Sequence, residues 1–242
     1  MILEDGREIR GQAVIRSGVD FTAAAKEVFD LALGQAGLGE EDISAVLATG
    51  YGRQNTNIAQ ETKTEIACQA RGCYHLYPEA LTIIDIGGQD NKIIKLAADG
   101  VRTGFMMNRK CAAGTGAFLE EMAARLAIDL DGMNDLAAAA TETVELGAYC
   151  TVFSATEVLE KIRAGHPLGA IIRGVFLSMV KRVIEMDLME NRIVLTGGVA
   201  AHNPLVAELL AQATGAEVTV PPFPQITGAL GAALLAGGKV RS

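Results

Sequence analysis

Two short apolar segments, Leu81–Ile86 and Arg192–Thr196, each run straight into a pair of glycines, Gly87-Gly88 and Gly197-Gly198. A brief apolar run stopped by glycine is the pattern of a buried strand. Around the first of them the chain alternates short strands and turns. Asn91–Leu96 is a second strand, Asp99-Gly100 a turn, and 101–107 a third strand, an antiparallel meander. After the meander, helical and strand patterns alternate. One helix follows Cys111, with Phe118, Met122 and Leu126 in register, and another follows Cys150. A long helix is expected over 168–189, with Ile172, Val175, Met179, Val183 and Met186 on one face. A helix from Asn203, a strand over 217–220 and a last helix from Thr227 complete the series. Strand meanders followed by alternating helices and strands give an α/β fold with mixed sheets.

The first part of the chain reads less cleanly. Asp5-Gly6 is a hairpin turn signal, with a strand over 7–16 after it and only three residues before it. Asp20 caps a helix to about residue 34, with Phe21, Ala25, Val28 and Ala32 on one face. Residues 43–49 form an apolar run ending in Gly50, a buried-strand pattern, and 58–72 is expected to be helical. No low-complexity stretch separates domains, and a boundary near Tyr77-Pro78 gives lobes of 1–77 plus 221–242 and of 78–220.

The 242 residues are half hydrophobic, with 27 glycines, 6 prolines and no tryptophan. This is globular composition. A formal charge of −8 without a basic patch argues against nucleic acid as a partner. No apolar run approaches the roughly 20 residues of a membrane span, and the first ten residues do not form a signal peptide. We therefore expect a cytoplasmic protein with no membrane partner.

Asp85 stands near the end of its strand, ahead of Gly87, Gly88, Gln89 and Asp90. Glycines let backbone N–H groups approach phosphate oxygens, a nearby carboxylate holds Mg²⁺ through water, and a glutamine can orient an attacking water. The same residues also suit a glycine-rich hairpin turn. Thr196-Gly197-Gly198-Val199-Ala200 repeats the strand–glycine design ahead of a helix, which fits either a nucleotide at a helix N-terminus or simple packing. Gly228-Ala229-Leu230-Gly231-Ala232-Ala233 is a small-residue helix, suited to close packing or to a hinge.

Four cysteines, Cys68, Cys73, Cys111 and Cys150, suit thiols or metal ligands more than disulfides in such a chain. Cys111 and Cys150 each precede a helix, where the dipole and free N–H groups favour a thiolate. They are either two inert thiols or half of a four-thiolate cluster completed by a symmetric copy. Cys68 and Cys73 read as structural. His75, His166 and His202 make no ligand spacing.

Taken in order, Ala48-Thr49-Gly50-Tyr51-Gly52-Arg53, the Asp85 to Asp90 loop, Lys110-Cys111-Ala112-Ala113-Gly114-Thr115-Gly116, Cys150-Thr151-Val152-Phe153, the Thr196 to Ala200 motif and the small-residue helix resemble one family from end to end. It is the BcrA/BadF/HgdC-type ATPase family, which includes the activators of 2-hydroxyacyl-CoA dehydratases and the ATPase subunits of benzoyl-CoA reductase. The resemblance implies a two-lobed actin-like, ribonuclease H-like ATPase fold with nucleotide in its cleft. It implies Asp85, Gln89 and Asp90 as catalytic residues. ATP or ADP is then held by Gly87, Gly88, Lys92, Gly114, Thr115, Gly116, Gly197, Gly198, Val199, Asn203 and Gln225, with Mg²⁺. It implies that Cys111 and Cys150 of a homodimer hold one [4Fe–4S] cluster.

The partners so implied are an acyl-CoA dehydratase or reductase component and a donor such as ferredoxin or flavodoxin, in an anaerobic setting. Such families begin with a strand and an Asp-x-Gly-Ser/Thr phosphate loop. By the resemblance that loop falls just before residue 1, so Met1-Ile2-Leu3 is the second strand of its hairpin and we expect the sequence to start at an internal methionine. A small-molecule kinase of the same fold, and an iron–sulfur subunit without ATPase activity, stay open as rivals.

Overall fold

The structure is a computed structural model of the chain and describes residues 1–4, 8–108, 111–147 and 150–240. In chain order its elements are β1 (Ile2–Glu4), β2 (Glu8–Gly11), α1 (Phe21–Ala36), β3 (Leu47–Ala48), β4 (Glu61–Thr62), α2 (Glu65–Leu76), β5 (Leu81–Ile86), β6 (Asn91–Leu96) and β7 (Arg102–Asn108). They continue as α3 (Gly116–Leu126), α4 (Leu130–Ala138), α5 (Thr151–Arg163), α6 (Leu168–Ile184), β8 (Arg192–Thr196), α7 (Gly198–His202), α8 (Pro204–Thr214), β9 (Val218–Thr219) and α9 (Thr227–Val240). The chain divides into two units, 1–79 with 226–242, and 80–225.

In the first unit β1 and β2 pair antiparallel. The Asp5-Gly6 turn lies outside the described residues, and β2 ends at Gly11, short of the expected 16. The Asp20 carboxylate caps α1 by accepting from the Ala23 N–H at 3.0 Å, and Gly37 closes the helix at φ +68°. Gly11 is where β2 meets α1, since a Cβ there would stand 2.1 Å from the Ala32 carbonyl oxygen. Ala32, Leu33, Ala36 and Ile2 form a small core.

Two further expectations fail in this unit. The apolar run at 43–49 yields only the half-buried pair Leu47–Ala48, bonded in parallel to Glu61–Thr62. Its neighbour Val46 is held by the side chain of Gln60, which accepts from the Val46 N–H at 2.6 Å. The helix expected from 58 starts at Glu65, because the capping hydroxyl belongs to Thr64, which accepts from the Ala67 N–H at 3.3 Å. β1 and β3 belong to separate sheets, and both line a cavity of about 530 Å³ together with Val28, Ala232 and Ala236.

Helices α2 and α9 touch at backbone distance. A Cβ on Gly72 would meet the Thr227 carbonyl oxygen at 2.2 Å, and one on Gly231 would meet that of Cys68 at 1.7 Å. Cys68 and Cys73 are both fully buried on α2.

The second unit is built on a five-stranded sheet in the order β7-β6-β5-β8-β9. The meander β5-β6-β7 is antiparallel, and β5-β8-β9 is parallel. Every residue of β5 is buried. The main core joins Ile84, Ile86, Ile93 and Leu195 of the sheet to Phe118 and Met122 of α3 and to α6. β7 is bonded on one side, to β6, and leaves Phe105 and Met106 exposed.

Helix α4 was not legible, since Met133 and Ala137 are its only buried residues and Gly132 and Asn134 are weak helix formers. α6 stops at Ile184 instead of 189. Asp187 is drawn aside, accepting from the Lys95 ammonium at 3.0 Å and from the Leu188 N–H at 2.8 Å. The helix expected from Asn203 is α8, with Asn203 at its cap and Pro204 opening it, and the short helix α7 precedes it.

Candidate functional site

β5 carries Asp85 one residue before its end, 3% exposed. Strand register sets Lys92 of β6 on one side of it and Thr196 of β8 on the other. The Lys92 ammonium lies 3.2 Å from Asp85 Oδ2 and 2.6 Å from Asp90 Oδ1, and the Thr196 hydroxyl donates to Asp85 Oδ1 at 3.1 Å. Two carboxylates against one ammonium leave one net negative charge. Lys92, itself 1% exposed, sits between the two carboxylates that the sequence offered to a metal ion. Gln89 stands exposed on the turn.

Three glycine segments far apart in sequence converge on this point. The Gly87 N–H donates to the Asp90 carbonyl at 2.9 Å and closes the turn. The first amides of α3 dock on that turn, Gly116 N–H to the Gly87 carbonyl at 2.9 Å and Ala117 N–H to that of Gly88 at 2.8 Å. Gly197 arrives from β8 at φ +96°, where a Cβ would stand 2.2 Å from the Ile86 carbonyl oxygen and 2.9 Å from Asp85 Oδ1. A side chain on Gly116 would meet Gly88 at 3.1 Å and Val199 at 3.4 Å. Gln225 approaches the Gly198 position at 3.7 Å.

Two other sequence candidates turn inward. Asn203 is buried and its amide donates to the Val199 carbonyl at 3.0 Å. The buried Thr115 hydroxyl donates to the Ala112 carbonyl at 2.6 Å.

Cys111 and Cys150 are exposed thiols, unlike Cys68 and Cys73. Both backbone groups of Cys111 bond the amide of Asn108, at 3.3 Å each. Cys150 is the residue before α5, and its carbonyl accepts from the Ser154 N–H at 2.8 Å. Lys110 lies outside the described residues. Among the described residues, no group of three or more His, Cys, Asp or Glu gathers into a metal site.

Sequence reasoning missed Asn91. It is 1% exposed, its Nδ2 donates to the Gly114 carbonyl at 2.6 Å, and its Oδ1 is buried without a hydrogen-bond partner. Such an orphan acceptor costs about 1–3 kcal/mol. The available signal was an amide opening an otherwise apolar strand.

A sequence profile of the BadF/BadG/BcrA/BcrD ATPase family matches residues 2–236. The chain belongs to this ATPase family. This BadF/BcrA-type chain is 44% identical over 239 residues to the activator of lactoyl-CoA dehydratase of Anaerotignum propionicum, covering 98% of this chain and 92% of that protein. Among solved structures, the (R)-2-hydroxyglutaryl-CoA dehydratase component A of Acidaminococcus fermentans superposes with a TM-score of 0.93 at 37% identity, covering 99% of this chain and 93% of the other. The activator of the 2-hydroxyisocaproyl-CoA dehydratase from Clostridium difficile, solved with bound ADPNP, gives 0.91 at 37% identity, covering 99% and 90%. The fold of the BadF/BcrA-type chain is accordingly the actin-like ATPase fold.

Proposed function

We propose that this chain is the ATP-driven activator of a 2-hydroxyacyl-CoA dehydratase, working as a homodimer around one [4Fe–4S] cluster. The observation that carries the reading is a pair of exposed thiols, Cys111 and Cys150, on the same unit as the converged glycines. Two thiols fit half of a four-thiolate site, and a two-fold copy supplies the other half. Cys150 caps the start of α5, where N–H groups and the dipole favour sulfur carrying negative charge, whereas α3 begins only at Gly116, five residues after Cys111. When bound, the cluster supplies a low-potential electron to the dehydratase component, with ferredoxin or flavodoxin as donor.

The protein's own residues hold the nucleotide. Gly87, Gly116 and Gly197 let three chain segments close on one another at backbone distance, and Gly88, with open space at its Cβ position, leaves room at the turn for a phosphate oxygen. The net negative charge of the Asp85–Lys92–Asp90 group suits Mg²⁺ held through water. Gln89 orients the water that attacks the terminal phosphate, giving ADP and phosphate. The nucleotide drives the cycle through its different affinity for two conformations.

Anaerobic purification with iron and sulfide analysis tests this reading. About four irons per two chains are expected, with the visible absorption lost in Cys111→Ala and in Cys150→Ala and with ATPase activity in the cluster-loaded protein. A colourless chain that cannot be reconstituted with iron and sulfide would overturn it.

A further inference from the structure

Asn91 opens β6 directly after the turn of residues 87–90, in register with Ile86 on one side and Asn108 on the other. Its amide donates to the Gly114 carbonyl at 2.6 Å, in the middle of the strap that runs from Cys111 to α3. That carbonyl can come so close because residue 114 is a glycine at φ +88°, where a Cβ would stand 3.0 Å from Asn91 Nδ2. The strap has two other ties. Asn108 holds the backbone of Cys111 at one end. The carbonyls of Gly87 and Gly88 hold its other end at Gly116 and Ala117. Within the strap, Thr115 bonds Ala112 through its hydroxyl and its N–H, so the segment between the ties is itself braced.

The exposed Cys111 is thus strung to the glycine turn through its own chain, and Asn91 joins the two from the side. Its Oδ1 gains no bond there, so packing alone does not explain an amide at this position.

We propose that Asn91 is the positioning residue that transmits phosphate occupancy of the 87–90 turn to Cys111, an inference that rests on reading that turn as the phosphate site. When phosphate oxygens and Mg²⁺ engage the turn at Asp90, the adjacent Asn91 pulls on the Gly114 carbonyl. The braced strap then carries the movement to Cys111. Nucleotide state reaches the thiol through a hydrogen bond, in a chain with or without its cluster.

The test uses cluster-free protein with Cys150→Ser, so that Cys111 is the exposed thiol, Cys68 and Cys73 being buried. The rate of Cys111 reaction with N-ethylmaleimide is measured with and without MgATP, alongside MgATP affinity by calorimetry. MgATP is expected to change the rate by about threefold or more. In Asn91→Ala the affinity should stay within about twofold while the effect on the rate disappears. Should Asn91→Ala fail to fold, Asn91→Leu, similar in size but without a donor, gives the same reading. Intact affinity with an undiminished nucleotide effect on Cys111 would overturn the proposal, as would a parent protein that binds MgATP with no change at Cys111. Lost affinity in the variants would make Asn91 a binding or folding residue instead. A parent protein that does not bind MgATP would remove the phosphate-site reading itself, and the proposal with it.

Discussion

At Gly197 the chain passes so close to the end of β5 that hydrogen is the largest substituent the site admits. Gly197→Ala would place a methyl group 2.2 Å from the Ile86 carbonyl at φ +96°. We expect a loss of about 3 kcal/mol or more in unfolding free energy, measured in urea, with weaker nucleotide binding. An unchanged midpoint would mean that β5 and β8 can move apart freely. A second residue-scale effect concerns alkaline pH. Burial raises the Cys68 thiol above its ordinary value of 9.0. The neutral thiol is thus favoured by the folded state, and its contribution to stability is complete below pH 9 and fades as pH rises through the raised value. In Cys68→Ala the fall of the melting temperature above pH 9 should be shallower than in the parent. Identical slopes would show that Cys68 carries no part of it.

At the scale of elements, the Asp85–Lys92–Asp90 group exists because β5 and β6 pair in one register across the turn of residues 87–90. Lys92→Met leaves two buried or half-buried carboxylates facing each other, and about 3–5 kcal/mol of stability should go with the ammonium. The double variant Lys92→Met/Asp85→Asn should recover part of it, as a thermodynamic cycle of denaturation midpoints would show. Little of this arrangement could be read in advance. Asp85 and the glycines were legible because an apolar run stopped by glycine marks the end of a buried strand. That Lys92 faces Asp85 depends on strand pairing, which the sequence pattern leaves open, and Asn91 bonds a carbonyl 23 positions away. The strands β5, β6 and β8 were read correctly for the same reason as Asp85: their apolar runs end in hard punctuation. Helix α2 and strand β3 were misjudged where polar side chains, Thr64 and Gln60, decide the ends, and α4 escaped because two buried residues make no periodic pattern.

On the scale of the whole molecule, the two units are unequal. The second is built around a continuous core of sheet and helix residues, whereas the first relies on a small cluster around Ile2 and Leu33 and on the α2–α9 contact. Amide hydrogen exchange should therefore reveal opening of residues 1–62 well before β5 and β8. Equal protection of both units would refute that order. Cluster assembly belongs to this scale as well. If Cys111 and Cys150 form half a site, anaerobic iron and sulfide should shift the mass measured by light scattering from one chain to two, and chelation should return it. The rim of the sheet has its own bearing on how the protein behaves in bulk. β7 runs seven residues along the outside, with Phe105 and Met106 exposed and the Arg102 guanidinium 5.3 Å from the Phe105 ring centre as a guard. An open rim of this kind invites the same strand of another copy to continue the sheet. During refolding at high concentration, turbidity should grow through β7, and a single charge at its apolar midpoint, Phe105→Lys, should keep the solution clear.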